Sequence, residues 1–261
     1  MTLLRSTDAR ALSGLRQVHL LRDLPDEIVS EVGQICQFKL FRSRQIVMSR
    51  DERDRDCYLI LSGKVRVVAL SPSGKEVSFR DAGPGELIGE MSAIDRLPRS
   101  ATVVAVQDAL LARMSPDDLL ALLRRHWDVN ERMLRHLAGA ARGLTERVYE
   151  LSALNVSQRL CAELLRLSHA SAASPKAQRC LLDPTPSHSE LAGRISCTRE
   201  QVTRELGDLR RARVIECSTR GRVVVDLLRL ADRVDVPTSS PTAPCEATKR
   251  SVAPRTSVES M

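Results

Sequence analysis

Closely spaced turn signals divide residues 36–113 into short apolar segments, and this division limits what the region can fold into. The segments cover residues 45–48, 57–61, 65–70, 76–79 and 102–106. The turn signals between them include SG at 62–63, SPSG at 71–74 and GPG at 83–85. Several short strands at regular spacing are typical of an antiparallel barrel or sandwich. Because aromatic residues make up only 2% of the chain, its core must consist mainly of Leu, Val, Ile and Ala.

Helix starts are predicted before and after this region. Asp23 is expected to cap a short helix that opens with a proline and two acidic residues. Ser115 is expected at a second N-cap, with Pro116 at the first helical position. Asn155 is expected to cap a third helix. Residues 1–19 show no clear pattern and are interpreted as a frayed or helical lead-in.

A longer helix is predicted from about Val129 to Leu154, because apolar residues recur there at alternating intervals of three and four. These residues are Leu134, Leu137, Ala141, Leu144, Val148 and Leu151. This spacing is typical of a two-stranded coiled-coil seam. A helix packed on its own barrel is the alternative. The narrow seam favours a homodimer, because charged residues lie beside it, namely Arg135, Arg142, Glu146 and Arg147.

Two capping boxes follow each other near the C-terminal end. Ser187 stands three residues before Glu190, and Thr198 stands three residues before Gln201. They predict two helices joined by a turn at 196–197, which is the arrangement of a helix-turn-helix. An ordinary helical pair with surface arginines is the alternative interpretation of the same pattern.

The most informative stretch reads GELIGEMSAI at 85–94 and PRSATV at 98–103. Glycines let the backbone turn tightly and present N–H groups to an anion. Glu90 can accept a hydrogen bond from a ribose hydroxyl, and the planar guanidinium of Arg99 suits a phosphate. On composition alone, a salt bridge between Glu90 and Arg99 on a strand–turn–strand would explain both residues.

The order of these residues resembles the phosphate-binding cassette of cyclic-nucleotide-binding domains. Residues 58–67, YLILSGKVRV, resemble a hairpin of the same family. The resemblance implies a jelly-roll barrel that encloses the nucleotide. It also implies that Arg99 binds the exocyclic phosphate oxygens and Glu90 the ribose 2′-hydroxyl. Gly89 and Ser100 would complete the phosphate cradle.

The chain departs from that family in its loops and on the long helix. The early barrel turns lack the family's frequent glycines, and the loop at 50–56 is highly charged, which is expected to affect loop shape more than chemistry. In the catabolite activator branch, two adjacent hydroxyl residues on the long helix reach the purine. The matching residues here are Leu144, which cannot hydrogen-bond a base, and Thr145, which could contact it from the partner chain. Cyclic AMP (cAMP) is therefore the favoured ligand and cyclic GMP (cGMP) the alternative.

Residues 197–204, CTREQVTR, closely resemble the recognition helix of the catabolite activator family. The resemblance implies that Arg199, Glu200 and Arg204 read base edges and that Thr198 contacts phosphate. Thr203 is expected on the same outward face. A wing is expected over 214–225, where Arg220 and Arg222 would meet phosphates. Eight arginines against five acidic residues at 187–222, within a chain of net charge +7, favour a polyanionic partner.

The combined resemblance covers about residues 20–230 and identifies the chain as a member of the Crp/Fnr (catabolite activator/fumarate-nitrate regulator) family. The expected fold class is α+β: an antiparallel β jelly-roll barrel, a dimerisation helix and a winged helix-turn-helix. The expected units are a lead-in (1–19), the barrel (20–128), the dimerisation helix (129–154), the DNA-binding domain (155–235) and a disordered tail (236–261). The implied partners are a cyclic nucleotide, double-stranded DNA with a pseudo-palindromic site, a second copy of the chain, and RNA polymerase as a further candidate.

Other classes of function are disfavoured by the sequence. Seven scattered cysteines without C-x-x-C spacing predict reduced thiols in a cytoplasmic protein, with no disulfide framework and no metal site. No signal peptide or membrane span is expected. The five histidines form no catalytic constellation, so no catalytic residue and no enzyme activity are expected. The alternative function is a regulator of the same fold that binds DNA constitutively or senses a different ligand.

Overall fold

Helices and short strands alternate along the computed structural model, which describes residues 3–4, 9–50, 52–70, 76–171, 178–182, 185–217 and 223–234. The strands are β1 (Leu3–Leu4), β2 (Gln37–Phe41), β3 (Ile46–Met48), β4 (Cys57–Ser62), β5 (Val65–Leu70), β6 (Glu76–Ala82), β7 (Leu87–Ile88), β8 (Thr102–Ala105), β9 (Ala109–Met114), β10 (Arg179–Leu182), β11 (Ile215–Cys217) and β12 (Val223–Asp226). The helices are α1 (Ala9–Gln17), α2 (Asp26–Ile35), α3 (Glu90–Asp95), α4 (Pro116–Arg125), α5 (Trp127–Ala153), α6 (Val156–Ser171), α7 (His188–Ile195), α8 (Arg199–Arg211) and α9 (Leu227–Ala231).

Two antiparallel sheets form the N-terminal unit. One has the strand order β1-β2-β9-β4-β7 and the other β3-β8-β5-β6. Each of the five segments that the turn signals delimit contains a strand, so the antiparallel architecture and the α+β class are confirmed. Strands β2, β7 and β9 lie outside those segments. None of these three strands has a pair of turn residues on each side, so the turn signals did not delimit them. They are identified by their hydrogen-bonded pairing with neighbouring strands.

Strand β4 is buried on both of its faces, which explains its unbroken apolar sequence. Tyr58 and Ile60 face the core between the two sheets, where the Tyr58 ring packs edge-on against Phe41 with centroids 6.2 Å apart. Leu59 and Leu61 point the opposite way, into a second core that the N-terminal helices cover. Successive side chains of a strand point to opposite faces, so one strand contributes to both cores.

The residues before the barrel pack against it. Leu15 and Val18 are fully buried, in the core that α1 and α2 share with β4. The expected capping role of Asp23 is wrong: α2 begins at Asp26, and its N-cap is Pro25, which makes no side-chain capping bond. The proline ring holds φ at −53° in an extended conformation that leads into the helix without a cap. Asp23 instead occupies the left-handed region, with φ +58°.

Helix α5 packs on the barrel in its first turns and exposes its apolar seam further along. Val129 and Met133 are buried and Leu137 packs partly against the same barrel core, so the first turns of the helix lie on the chain's own barrel. The rest of the seam is open: the exposed fraction is 60% for Leu144 and 64% for Val148. The helix has 27 residues, which at 1.5 Å per residue gives about 40 Å. The alternative of packing on the chain's own barrel therefore holds for the first turns of the helix, and the dimer seam stays a prediction for the exposed part.

The C-terminal unit has a core of its own. Helices α6, α7 and α8 pack with the sheet β10-β12-β11 around residues such as Leu160, Ile195 and Val202, all of which are fully buried. The expected cap of α6 is confirmed, because the Asn155 side chain accepts a hydrogen bond from the Gln158 amide at 3.0 Å. Strands β11 and β12 pair antiparallel as the wing predicts. The proposed tail at 236–261 lies outside the described residues.

Candidate functional site

The glycine-rich cassette forms a strand, a left-handed turn and a helix. Strand β7 pairs with β4, and Gly89 then turns the chain with φ +79° into α3, which starts at Glu90. A short helix therefore lies between β7 and β8, where only a turn was expected. A Cβ atom on residue 89 would lie 2.7 Å from Arg99 Nη1 and 2.9 Å from the Asp56 carbonyl oxygen. Only glycine allows the backbone to pass this close to the guanidinium.

Arg99 points inward, and its side chain is only 2% exposed. Nη2 donates to the Asp56 carbonyl oxygen at 2.7 Å, and Nη1 donates to the Gly89 carbonyl oxygen at 3.2 Å. Its ion-pair contact, Asp54 Oδ1, is 4.0 Å away, at the limit of such an interaction. Nε is buried and has no hydrogen-bond partner among the described residues. The cation is thus held mainly by neutral carbonyls, and the alternative of a Glu90–Arg99 salt bridge is wrong, because the ion-pair contact of Arg99 is Asp54 and that of Glu90 is His136.

Acidic residues of the charged loop lie beside this arginine. Arg113 on β9 forms ion pairs with Asp56 and, at 3.6 Å, with Asp54. Burial and the neighbouring Asp54 carboxylate raise the pKa of Asp56. The expectation that this loop affects shape more than chemistry is therefore incomplete, because its Asp56 carbonyl oxygen accepts a hydrogen bond from Arg99 and its Asp54 carboxylate lies 4.0 Å from the same guanidinium. The alternation of acidic and basic residues at 50–56 was the available signal in the sequence.

Glu90 connects the cassette to the long helix. Its carboxylate is 10% exposed, and Oε1 lies 3.3 Å from Nε2 of His136 on α5. The same histidine lines a cavity of about 150 Å³ between α5 and the turn at Gly85. This cavity is lined by none of the five predicted ligand residues, so it is distinct from the candidate site around Arg99. A second histidine also contacts a carboxylate, because Nε2 of His126 lies 2.9 Å from Glu31.

The remaining two predicted ligand residues are not part of this cluster. Ser100 follows Arg99 directly and is exposed. Thr145 lies on the exposed face of α5, and its hydroxyl donates to the Ala141 carbonyl oxygen one turn earlier, at 3.1 Å. Within the described residues, no hydrogen bond joins Thr145 to the cassette. Its predicted contact comes from a partner chain, which a single chain cannot display.

The two C-terminal capping boxes are both formed. The Ser187 hydroxyl accepts from the Glu190 amide while the Glu190 carboxylate accepts from the Ser187 amide, and Thr198 and Gln201 repeat the exchange. Ser196 makes the turn between α7 and α8 with a left-handed φ of +54°. The opposite side of α8 faces the core through three buried residues, Val202, Leu206 and Leu209. The helix-turn-helix is therefore formed by local bonds and a shared core.

The outward face of α8 carries the predicted DNA-contacting side chains. Arg199, Glu200, Thr203 and Arg204 are all exposed, and so is Thr198 at the N-cap. Hydrogen bonds from its own amide and from Thr198 lower the pKa of Glu200. The Thr203 hydroxyl donates to the Arg199 carbonyl oxygen and lies 2.8 Å from Nδ1 of His188. Arg220 and Arg222 lie outside the described residues.

Family matches cover both units of the chain. Residues 38–126 match the cyclic nucleotide-binding domain, and residues 158–233 match the Crp-like helix-turn-helix domain. A barrel of the first kind joined to a motif of the second defines a DNA-binding transcription regulator rather than an enzyme.

Relatives extend over most of the chain. It is 33% identical over 190 residues to the Cyclic AMP receptor protein of Thermus thermophilus, a match that covers 72% of this chain and 83% of that protein. It is 26% identical over 210 residues to the CRP-like cAMP-activated global transcriptional regulator of Mycobacterium tuberculosis, covering 80% and 92%. The solved structure of FixK2 from Bradyrhizobium japonicum shares the fold, with a TM-score of 0.66 at 18% identity over 78% of this chain and 99% of that one. The chain belongs to the Crp/Fnr family of transcription regulators.

The described residues contain no helix that is long and apolar enough to cross a membrane. They also contain no group of three or more His, Cys, Asp or Glu side chains that could hold a metal ion.

Proposed function

We propose that this regulator binds cAMP beside Arg99 and that the nucleotide changes its affinity for DNA. The observation that carries the proposal is the state of the Arg99 guanidinium. It is buried, it is held mainly by neutral carbonyl oxygens, and its Nε atom has no partner among the described residues. A buried cation of this kind favours an anionic ligand.

The residues around Arg99 suit the parts of a cyclic nucleotide. Arg99 would bind the exocyclic phosphate oxygens, with the Gly89 turn and Ser100 completing the cradle. Glu90 would accept a hydrogen bond from the ribose 2′-hydroxyl. Because Glu90 already contacts His136 on α5, the ribose would be linked to the long helix through one carboxylate.

The base and the second protomer belong to the same proposal. The exposed part of the α5 seam, including Leu144 and Val148, would pack against a second copy of the chain. Thr145 would then contact the base from the partner. Two relatives are named for cAMP, which supports cAMP over cGMP, although Leu144 supplies no hydrogen bond to either base.

The DNA-bound form follows from two-fold symmetry. Two α8 helices would enter successive major grooves, so half-sites would lie about 34 Å apart in a pseudo-palindromic site. Arg199, Glu200 and Arg204 would read base edges, and Arg220 and Arg222 would contact phosphates. We place this activity in the cytoplasm, with RNA polymerase as a further candidate partner.

Calorimetry on the full chain tests the ligand. Wild type, Arg99→Gln and the control Arg42→Gln are titrated with cAMP and cGMP. Arg42 is a matched control because it is an exposed barrel arginine paired with Asp108 at 2.6 Å, away from the cassette. Each hydrogen bond from a charged donor contributes about 1.5–3 kcal/mol. Losing two such bonds to phosphate should therefore weaken cAMP binding by about 100-fold or more, while Arg42→Gln binds as wild type does.

The outcomes separate the alternatives. No heat from wild type with either nucleotide refutes the ligand proposal. Tight DNA binding by that same preparation would then support a constitutive regulator. Stronger binding of cGMP than of cAMP by wild type reverses the base preference and leaves the phosphate site intact.

A further inference from the structure

A network of charged side chains joins the barrel, the long helix and the helix-turn-helix. It consists of four arginines and four carboxylates, namely Arg66, Asp81, Arg147, Glu150, Glu163, Arg166, Glu190 and Arg194. Several members are deeply buried: the side chains of Glu163 and Glu150 are 2% and 5% exposed. None of these residues belongs to the ligand site or the DNA-reading face described above.

Two barrel residues of the network contact both ends of α7. Arg66 on β5 and Asp81 on β6 are direct cross-strand partners, and Arg66 Nε lies 2.7 Å from Asp81 Oδ1. Arg66 Nη1 also lies 2.8 Å from Oε1 of Glu190, in the first turn of α7. Asp81 in turn forms an ion pair with Arg194, in the last turn of the same helix. The barrel hairpin therefore contacts the first helix of the DNA-binding motif at two points.

The other side of the network crosses the junction between α5 and α6. Arg194 Nη1 lies 3.0 Å from Oε1 of Glu163 on α6. Arg147 on α5 lies 2.9 Å from Glu150 and 3.5 Å from Glu163. Arg166 on α6 forms ion pairs with both of these glutamates. Two of these ion pairs, Arg147–Glu163 and Arg166–Glu150, join α5 to α6, so a change in the angle between the two helices should disturb both.

Burial makes these pairs act together. An ionised group that loses its partner while it stays buried is strongly destabilising, so a pair opens only when water reaches it. The charges balance within the network: Asp81 and Glu150 each pair with two arginines, Glu163 pairs with three, and Glu190 pairs with one. Opening one ion pair exposes the neighbouring pair to water or leaves it with an unmatched charge. The network should consequently switch between a closed and an open arrangement, not deform gradually.

We propose that this network sets the orientation of the helix-turn-helix on its barrel and transmits the nucleotide signal to it. Arg66 and Asp81 are the positioning residues on the barrel side, because they contact α7 directly. In a dimer, the orientation of each motif on its barrel determines the distance between the two α8 helices, and hence the fit to two half-sites. The inference rests on the proposed nucleotide response and adds the route by which the response reaches DNA.

The test compares Arg66→Met, Asp81→Asn and the double variant with wild type, with Arg42→Met as the control. The affinity for a duplex selected from random sequence by the wild-type protein is measured by fluorescence anisotropy, with and without cAMP. We expect the cAMP-induced change in affinity to fall at least fivefold in each single variant. The double variant should lose little more than either single one, because both residues act in one network. Calorimetry should show that all variants still bind cAMP.

A cAMP response of wild-type size in both single variants would overturn the inference, as would an equal loss in Arg42→Met. Amide hydrogen exchange of the full chain without nucleotide separates failure of this inference from failure of the proposed function. If the network docks α7, Arg66→Met accelerates exchange in α7 and β6, even when wild type turns out not to respond to cAMP. Unchanged exchange in both elements would exclude the docking role itself.

Discussion

Replacing Gly89 with alanine tests how tightly the cassette backbone is held against Arg99. Residue 89 has φ +79°, a left-handed conformation that costs an L-residue about 1–2 kcal/mol. The new Cβ would lie 2.7 Å from Arg99 Nη1 and 2.9 Å from the Asp56 carbonyl oxygen, closer than such contacts occur. One neighbour must therefore move, and both belong to the Arg99 site.

The expected decrease in the free energy of unfolding follows from these contacts. If the guanidinium moves away and loses one hydrogen bond, the cost is about 1.5–3 kcal/mol. Added to the backbone strain, the free energy of unfolding of the barrel should fall by about 3–5 kcal/mol. The affinity for cAMP should fall with it, because Arg99 leaves its place in the cradle.

Urea denaturation of the full chain measures the change, and amide exchange assigns it to the barrel. Gly139→Ala is the matched control, because nothing lies within 4 Å of a Cβ built at this glycine of α5. Alanine in a helix should stabilise by about 0.5–1 kcal/mol relative to glycine. If Gly89→Ala unfolds within about 1 kcal/mol of wild type, the close approach of backbone and guanidinium is refuted.

Three further predictions follow from the seam, the recognition helix and the interdomain network. Val148→Glu should give a monomer in sedimentation at concentrations where wild type and the off-seam control Ala138→Glu are dimers; a Val148→Glu dimer would place the interface elsewhere. Arg199→Ala should lose about 1–3 kcal/mol at a single base position of the selected site, whereas an equal loss on all sequences would assign this arginine to phosphate. Burial raises the pKa of the Asp81 carboxyl, but its hydrogen bond with Arg66 and the Arg194 charge outweigh burial and leave it below the ordinary 3.8. A carboxyl whose pKa is lowered by folding stabilises the folded state above its ordinary pKa, and this stabilisation is lost as the pH falls through the folded-state pKa. The difference in unfolding free energy between wild type and Asp81→Asn should therefore shrink as the pH falls below 3.8. An unchanged difference in urea titrations would contradict this sign.

Local interactions explain which parts of the fold could be predicted. The Ser187 and Thr198 capping boxes involve residues three positions apart, so both were readable from the sequence and both are formed. Asp23 was misjudged as a cap because a proline two residues later already directs the chain into α2. Helix α3 was missed because six residues are too few to show helical periodicity.

The candidate site likewise has a part that the sequence predicted and a part that it did not. Gly89, Glu90 and Arg99 stand close together in one recognisable order, and the structure places all three around one turn. Their partners come from distant parts of the chain: Asp56 lies 43 residues before Arg99, and His136 lies 46 residues after Glu90. No pattern of short spacing could have indicated those contacts.

The sequence by itself determined the kind of element at most positions, the glycine-freed turn beside an arginine, and the two capped helices of the helix-turn-helix. These depend on backbone preferences and on hydrogen bonds that span a few residues. Only the tertiary structure decided that Arg99 is held by carbonyls and not by Glu90, and that a buried charge network ties the barrel to the helix-turn-helix. Burial and charge pairing are properties of groups far apart in the chain, and they exist only once the sheets and helices have packed.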